Sequence, residues 1–288
     1  MKNAKFLLHA TVVVFGFTGI LGKLIELPAL PLVFWRCAIG AGALGVWLLA
    51  RGKWKKIKGP DLWKIAATGV LVALHWAAFF HAIKISNVAI ALATLSTAPF
   101  FVALIEPAFN GRRLDWREMA LGLVAIAALT IIFDVTPGSG AGIFWSLISA
   151  ILAAAFSVFN ARWVTRHDAM NISRLELSVA ALAIGAFAWS QGAMAWPSEE
   201  DWLWLGLLGV VATALAFAVS VQVMRVISPF SVAIAINLEP VYAIVLALLI
   251  FGESEQMNGG FYAGAGLLVG TVMVDAMIKR RRRPRLQR

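Results

Sequence analysis

Cysteine is almost absent from this chain, since Cys37 is the only one among 288 residues. A single thiol excludes a disulfide within the chain and a thiolate metal cluster. The sequence also lacks a His-Glu-x-x-His zinc motif, a Gly-x-Ser-x-Gly nucleophile turn and a phosphate-binding loop that ends in Lys and Ser or Thr. These absences argue against a zinc or serine hydrolase and against ATP as an energy source within the chain, and we expect no cofactor.

Charged residues are scarce as well. They make up 14% of the chain, against 61% hydrophobic residues, and the mean hydropathy is +0.83. Soluble domains lie outside this range, whereas about 20 apolar residues are enough to cross a bilayer. We place ten spans, at residues 6–25, 32–50, 63–83, 88–109, 118–134, 141–162, 174–194, 202–224, 231–251 and 260–278. The sequence therefore predicts an all-α integral membrane protein without a soluble domain.

The positive charges are distributed unevenly along the chain. Of the 25 Lys and Arg residues, 22 lie at the N-terminus, in every second loop or in the tail 279–288. Short cytoplasmic loops retain positive charge, so the alternation predicts that both termini are cytoplasmic and that the protein lies in the cell membrane, as in bacteria. A net charge of +10 would also suit a nucleic-acid binder. No aromatic platform accompanies the basic tail, however, and we expect it to contact anionic lipid.

The two halves of the chain resemble each other when one is shifted by 141 residues. The shift aligns Lys84 with Arg225, Pro99 with Pro240 and Gly111 with Gly252. Each half, 1–134 and 141–278, holds five predicted spans, and an odd number requires the second half to enter the membrane in the opposite sense. The sequence therefore predicts a 5+5 inverted-topology repeat, an arrangement by which transporters open to alternate sides.

Several short motifs resemble a known family. The second half carries Ser231-Val232-Ala233-Ile234-Ala235, Glu239-Pro240, Phe251-Gly252-Glu253, Gly264 and Gly266, and the first half carries Phe34-Trp35-Arg36, Ala89 to Ala93, Pro99 and Asn110-Gly111-Arg112. On these residues nearly the whole chain resembles the EamA type of the drug/metabolite transporter superfamily, although Arg112 stands where the pattern often carries a glutamate. The resemblance implies ten helices in an inverted repeat and a central cavity lined mainly by spans one to four and six to nine. It also implies an activity that is usually export of amino acids or other small metabolites.

Three cations lie away from the predicted cytoplasmic side: Lys23, Arg36 and Lys84. An ionisable side chain at membrane depth needs a partner, a wet cavity or a function. Lys23 and Lys84 could contact the outer lipid headgroups or have a function, and the sequence favours neither explanation. Arg36 lies about two turns into the second span. We expect it, with Trp35 beside it, to face the cavity and to pair with Glu26 or with a solute carboxylate through two parallel hydrogen bonds.

The third span carries His75, Trp76 and Phe79. His75 and Phe79 are four residues apart and so share one helix face, with Trp76 on the adjacent stripe. This pattern predicts an aromatic and imidazole wall for an amphipathic solute, although plain helix packing explains it at least as well. No second His or carboxylate lies at ligand spacing, so we expect no metal site.

Prolines interrupt the fourth and ninth spans at matching positions. A proline removes a helical hydrogen bond, and a helix broken at membrane depth is tolerated only inside protein or along a water-filled cavity. Two such helices in corresponding positions predict a binding site, to which we assign Thr97 in span four and Asn237 and Tyr242 in span nine. Packing kinks without a binding role are the alternative.

Glu239, beside Pro240, is the candidate coupling residue. A carboxyl group removed from water favours its neutral form, so it could load and release a proton as the cavity alternates. A structural hydrogen bond or a position at the lipid interface would explain the same residue.

Taken together, these features favour a secondary transporter, and most of all an exporter of an amino acid or another small carboxylate-bearing metabolite. A channel or lipid-handling scaffold is the alternative, and a membrane-embedded enzyme is a weaker one. Small residues are dense in spans five, six and ten and let helix backbones approach closely, which leaves room for a homodimer.

Overall fold

The computed structural model describes residues 2–86, 88–111, 113–132, 140–242 and 259–282. Within these ranges the chain forms helices and no strand, so the all-α prediction is confirmed. The helices are α1 (Lys2–Leu24), α2 (Ala29–Ala50), α3 (Pro60–Ile85), α4 (Val88–Leu95), α5 (Ala98–Asn110), α6 (Trp116–Ile132), α7 (Gly140–Trp163), α8 (Ala169–Ser190), α9 (Glu199–Leu207), a π-helix (Leu208–Leu215), α10 (Ala216–Val223), α11 (Pro229–Ile236) and α12 (Gly259–Arg282).

Six of the described helical segments are long and apolar enough to cross a membrane: α1, α2, α3, α7, α8 and the continuous run from α9 through the π-helix to α10. Shorter apolar helices cover Ala98–Phe109 and Tyr262–Ile278. The predicted ninth span is described only as far as residue 242. Arg112, the motif Phe251-Gly252-Glu253 and the end of the basic tail from residue 283 lie outside the described residues.

Two membrane helices start at side-chain caps that the sequence encodes. The Asp168 carboxylate accepts hydrogen bonds from the backbone N–H groups of Met170 and Asn171 and so starts α8. Ser198 and Asp201 form a reciprocal capping box at the start of α9. Each cap satisfies backbone donors that would otherwise have no partner at a helix end.

Both predicted helix interruptions are present. The fourth span divides into α4 and α5 at a turn over residues 96–97, and α11 gives way to a turn at 237–238 before the helix resumes at Glu239. In each case the last residue of the preceding helix, Leu95 or Ile236, lies four residues before the proline. A proline ring clashes with the backbone carbonyl of the residue four positions before it, and proline has no N–H to donate to that carbonyl. Pro99 and Pro240 therefore account for both breaks.

The bundle packs its helices closely through small residues. α3 lies against α7 and α8, α2 against α8 and the π-helix, and α6 against α12. A methyl group added at Gly69 of α3 would come within 2.8 Å of the Glu176 carbonyl oxygen on α8. Glycine at this position therefore sets how near α3 approaches α8.

Candidate functional site

A cavity of about 130 Å³ lies at the two helix interruptions. Ligand pockets for drug-sized molecules are usually about 300–1,000 Å³, so this one favours a small solute. Its described lining comes from α1 to α5 in the first half and from α7, α10, α11 and the residues after α11 in the second. The family resemblance implied walls from spans one to four and six to nine, but α8, the seventh span, supplies none of these lining residues.

Arg36 is the cation of this cavity and is only 2% exposed. Its Nε donates to the Thr213 hydroxyl at 3.0 Å, and its guanidinium lies 4.3 Å from the ring centre of Trp76 and 5.2 Å from that of Phe80. The Nη1 atom has no hydrogen-bond partner among the described residues. A buried donor without a partner costs about 1–3 kcal/mol, and more when it is charged. Arg36 thus lines the cavity and holds a buried charged donor without a described partner.

Glu239 lines the same cavity and is 8% exposed. It is the first residue of the helix that resumes after the break at 237–238. The two charges are within electrostatic reach of each other, but within the described structure their atoms form no direct ion pair. Arg36 and Glu239 therefore line the same cavity without a direct ion pair between them.

His75 is fixed by the facing helix α7. Its Nδ1 lies 2.8 Å from the Ser149 hydroxyl and 3.0 Å from the Ser149 carbonyl oxygen. Its ring stacks on Phe79, with 6.3 Å between ring centres, and packs against Phe156 at 5.3 Å. His75 therefore takes part in helix packing, through its contacts with α7, and also lines the cavity.

A hydrogen bond joins the two helix interruptions directly. The Asn237 side-chain amide donates to the Ser96 backbone carbonyl at 3.0 Å. These residues are 141 positions apart, which is the shift that aligns the two halves of the sequence. The second break therefore supplies a donor to the backbone of the first at the edge of the cavity.

Six of the nine residues predicted for the site line the cavity: Arg36, His75, Trp76, Phe79, Asn237 and Glu239. The remaining three, Trp35, Thr97 and Tyr242, do not belong to this lining. The Trp35 indole donates to the Ala195 carbonyl at 3.1 Å, and its ring packs against Trp196 and Trp202. Trp35 thus joins α2 to the chain before α9, and we do not carry it forward as a cavity residue.

Thr97 and Tyr242 lie near the breaks. The Thr97 hydroxyl is buried and has no hydrogen-bond partner in the described residues, and half-buried Tyr242 packs against the hydrophobic core. Of the other two cations in this group, Lys84 donates to the Ile25 carbonyl at 3.2 Å, and the side chain of Lys23 lies outside the described structure. Between the two described side chains, Arg36 lines the cavity and Lys84 does not.

Several lining residues escaped the sequence analysis. Phe15 and Thr18 come from α1, Phe156 and Ser157 from α7, and Phe217 and Ser220 from α10. The Thr18 hydroxyl is a second buried polar atom of the cavity wall without a described partner. Thr213 accepts a hydrogen bond from Arg36 and lies in the π-helix. No feature of the sequence predicts the wider turn of that helix. Pairing across the shift of 141 would have found part of this set, because Phe217 and Ser220 are the counterparts of the predicted residues Trp76 and Phe79.

Comparison with known proteins identifies the family. A profile of the EamA-like transporter family matches residues 3–134 and, a second time, residues 140–274. The chain belongs to the EamA-like transporter family. It is accordingly a multi-pass bacterial membrane protein of the drug/metabolite transporter superfamily, and a transporter rather than an enzyme.

Individual EamA relatives cover much of the chain. An uncharacterized transporter of Bacillus subtilis, YxxF, is 25% identical over 274 residues, which is 92% of this chain and 85% of that protein. The pseudopaline exporter CntI of Pseudomonas aeruginosa is 30% identical over 188 residues, 65% of each chain. A solved crystal structure superposes with a TM-score of 0.81 over 98% of this chain and 99% of the other, at 18% identity, which shows a shared fold.

The cavity assignment predicts which cysteines an aqueous thiol reagent can reach. Native Cys37 is fully buried and does not line the cavity, so the unmodified protein should not react. Phe79→Cys in a Cys37→Ala background should react once the cavity opens to water, and a bound solute should slow the reaction. Mass spectrometry of the labelled protein measures both. Equal reactivity of Phe79→Cys and native Cys37 under all conditions would remove Phe79 from the wall.

Proposed function

We propose that this transporter is a secondary carrier that exports a small carboxylate-bearing metabolite, with amino acids as the first candidates, by alternating access. The observation that carries the proposal is Arg36, a buried cation with an unpaired Nη1 donor, in the lining of a small cavity at two helix breaks. Thr213 accepts a hydrogen bond from its Nε, and its guanidinium lies 4.3 Å from the ring centre of Trp76, so the group is held in place while Nη1 has no partner in the described residues. A carboxylate fits such an edge through charge-assisted hydrogen bonds.

The rest of the wall fits a small solute with an apolar part. Rings of Phe15, Trp76, Phe79, Phe156 and Phe217 contribute to it. Glu239 supplies a negative charge in the same space, which suits an amino group on the solute. A zwitterion such as an amino acid would satisfy both charges without leaving either one buried and alone.

Matched contacts at the two ends of the bundle support an inverted repeat. Lys84 Nζ donates to the Ile25 carbonyl at 3.2 Å, and Arg225 Nη2 donates to the His167 carbonyl at 2.9 Å. Lys84 and Arg225 are 141 positions apart, and Ile25 and His167 are 142 apart. Each contact ties the end of a repeat's third helix to the loop between its first two helices.

A second matched pair lies beside the first. The backbone N–H of Glu26 donates to Asp201 Oδ1 at 3.0 Å, and His167 Nε2 lies 2.8 Å from Asp61 Oδ2. Glu26 and His167 are 141 positions apart, and Asp61 and Asp201 are 140 apart. In both pairs the carboxylate belongs to the opposite half of the chain. We call the set Lys84, Ile25, Glu26 and Asp201 the outer latch, and the set Arg225, His167 and Asp61 the inner latch.

Two equivalent latches suit alternating access between five-helix halves, 1–134 and 141–278. One latch opens while the other holds, because the halves can exchange roles when they are related by an axis in the membrane plane. In this proposal both termini and the inner latch lie in the cytoplasm, which agrees with the concentration of positive charge at these segments.

The relatives favour export over other transport. Pseudopaline exporter CntI is named for moving a metabolite out of the cell, and we extend that direction to this chain. The partners of this proposal are the solute and membrane lipid, with anionic inner-leaflet lipid at the basic tail. A homodimer through the small-residue helices stays part of the proposal for the assembly.

A channel or lipid-handling scaffold is the alternative, and counterflow separates it from a carrier. Proteoliposomes preloaded with unlabelled solute should take up labelled solute faster than empty ones. The reason is that the binding site of a carrier can return across the membrane with unlabelled solute bound. Metabolite profiling of medium from cells with and without the gene would supply the solute to test. Equal uptake into empty and preloaded vesicles would reject the carrier mechanism.

Arg36→Lys tests recognition of the carboxylate. Lysine keeps the charge but loses the planar pair of donors, so binding of an acid should weaken about tenfold to hundredfold, the equivalent of roughly 1.5–3 kcal/mol. Binding of the corresponding amide should change little. Arg162→Lys, at an exposed position of α7, is the matched control and should affect neither ligand. Equal loss for acid and amide, measured by direct binding to the purified protein, would leave Arg36 a structural residue.

Glu239→Gln tests coupling. We propose that Glu239 carries the coupling proton as the cavity alternates, because it is the carboxyl group that lines the cavity beside the second break. The substitution should abolish solute accumulation driven by a pH gradient, while exchange of labelled for unlabelled solute continues. Transport by the variant that still follows the pH gradient would assign the proton to another group.

A further inference from the structure

A second buried carboxyl group lies outside the cavity lining. Glu176 of α8 is 0% exposed, and so is Asn160 of α7. The Asn160 amide donates to Glu176 Oε2 at 3.2 Å. Ser173, one turn earlier on α8, is also fully buried. Side chains from two helices therefore meet in a buried polar cluster, in which Asn160 of α7 bonds Glu176 of α8.

The polar atoms of this cluster are not all paired. Glu176 Oε1, Asn160 Oδ1 and the Ser173 hydroxyl have no hydrogen-bond partner in the described part of the chain. Buried polar atoms in folded proteins are nearly always paired, so two unpaired acceptor oxygens on side chains already bonded to each other, Glu176 Oε1 and Asn160 Oδ1, indicate a missing donor. A proton on Glu176 would be such a donor, because it would turn one carboxylate oxygen into a hydroxyl group that can bond to a neighbouring oxygen.

Charged groups on the surrounding helices are exposed or have other described contacts, although Arg174 Nε has no hydrogen-bond partner in the described residues. Lys64 on α3 and Arg162 on α7 are exposed, and Arg36 on α2 lines the cavity. Asp61 on α3 contacts His167, and Arg225 after α10 donates to the His167 carbonyl. The guanidinium of Arg174 on α8 lies over the Trp54 ring, 3.9 Å from its centre. Within the described ranges no cation forms an ion pair with Glu176. A lone carboxylate at this depth is costly, so the group is neutral unless a cation enters.

A proton fits this cluster better than a metal cation does. The three unpaired side-chain oxygens would give sodium or calcium only half of an oxygen shell of about six ligands. The main-chain carbonyls around Glu176 and Ser173 belong to the continuous helix α8, which uses them for its own hydrogen bonds. One proton on Glu176 Oε1 needs a single acceptor, and Asn160 Oδ1, on the side chain that already donates to Glu176 Oε2, is the candidate.

The position of the cluster suggests how the proton is exchanged. Glu176 lies seven residues from the start of α8, and Asn160 lies three residues from the end of α7. At the helical rise these are about 10 Å and about 5 Å from the loop that carries His167 of the inner latch. Opening of that latch would bring water to the cluster first.

We propose that Glu176, bonded to Asn160, is a second proton-binding site, which takes up and releases its proton to water at the end of the bundle that the inner latch closes. On uptake, an O–H bond forms at Glu176 Oε1; on release, the proton passes to water and the carboxylate remains. Binding of the proton rests on the structure of α7 and α8 alone, whereas its use in coupling rests on the proposed transport function.

Infrared spectroscopy of the purified protein tests proton binding without any solute. A protonated carboxyl group has a C=O stretch well separated from the amide band, and exchange into heavy water shifts it. Wild-type protein should show such a band that fades as the pH is raised. The Glu176→Gln variant should lose that band, while the surface control Glu200→Gln should retain it.

A second variant covers the case in which Glu176→Gln does not fold. Asn160→Ala removes the donor to Glu176 Oε2 and should shift the frequency of the same band, with no change in any band that Glu239→Gln removes. If the Glu176→Gln variant keeps every carboxylic-acid band of the wild type, the proposal is overturned. A Glu176 band that stays constant across the whole pH range would also overturn it. If a carboxylate band of Glu176 responds to sodium instead of to pH, the site binds a metal cation and not a proton, and the proposal is overturned.

Discussion

The hydrogen bond from Asn237 to the Ser96 carbonyl joins two broken helices in a medium that offers their backbones no water. Carbonyl and N–H groups released at membrane depth must find partners within the protein or along a wet cavity. Pro99 and Pro240 create such groups at equivalent places in the two halves. The bundle brings the two places together, and the cavity forms there. The position of the site thus follows from how the chain satisfies its own interrupted backbone.

The two halves use the same architecture for different electrostatics. Helix α2 brings the buried cation Arg36 to the cavity, and α8, its counterpart under the shift of 141, buries the carboxyl group of Glu176. Glu176 aligns with Trp35, one residue before Arg36, so the two ionisable groups lie on neighbouring faces of matching helices. Under the functions proposed above, the two matching helices would provide an anion site and a proton site, and equivalent latches would close the two ends of the bundle.

Much of this could be predicted because the bilayer imposes strong rules on sequence. Apolar length gave the helices, and proline position gave the breaks to within a turn. The presence of Arg36 at membrane depth pointed to the cavity. The π-helix that positions Thr213 could not be foreseen, since its apolar sequence suits an ordinary α-helix equally well. Trp35 is next to Arg36 in the motif Phe34-Trp35-Arg36, but adjacent helix residues point about 100° apart. Its indole donates to the Ala195 carbonyl and lies outside the cavity lining, which the motif alone does not indicate.

The central claim is that the halves lie antiparallel across the membrane, and Ile85 and Val226 test it most directly. These residues are 141 positions apart and both are exposed. In a Cys37→Ala background, Ile85→Cys should react in intact cells with a thiol reagent that cannot cross the membrane. Val226→Cys should react only after the cells are opened. Reaction of both positions from the same side would contradict the inverted arrangement and the alternating access built on it.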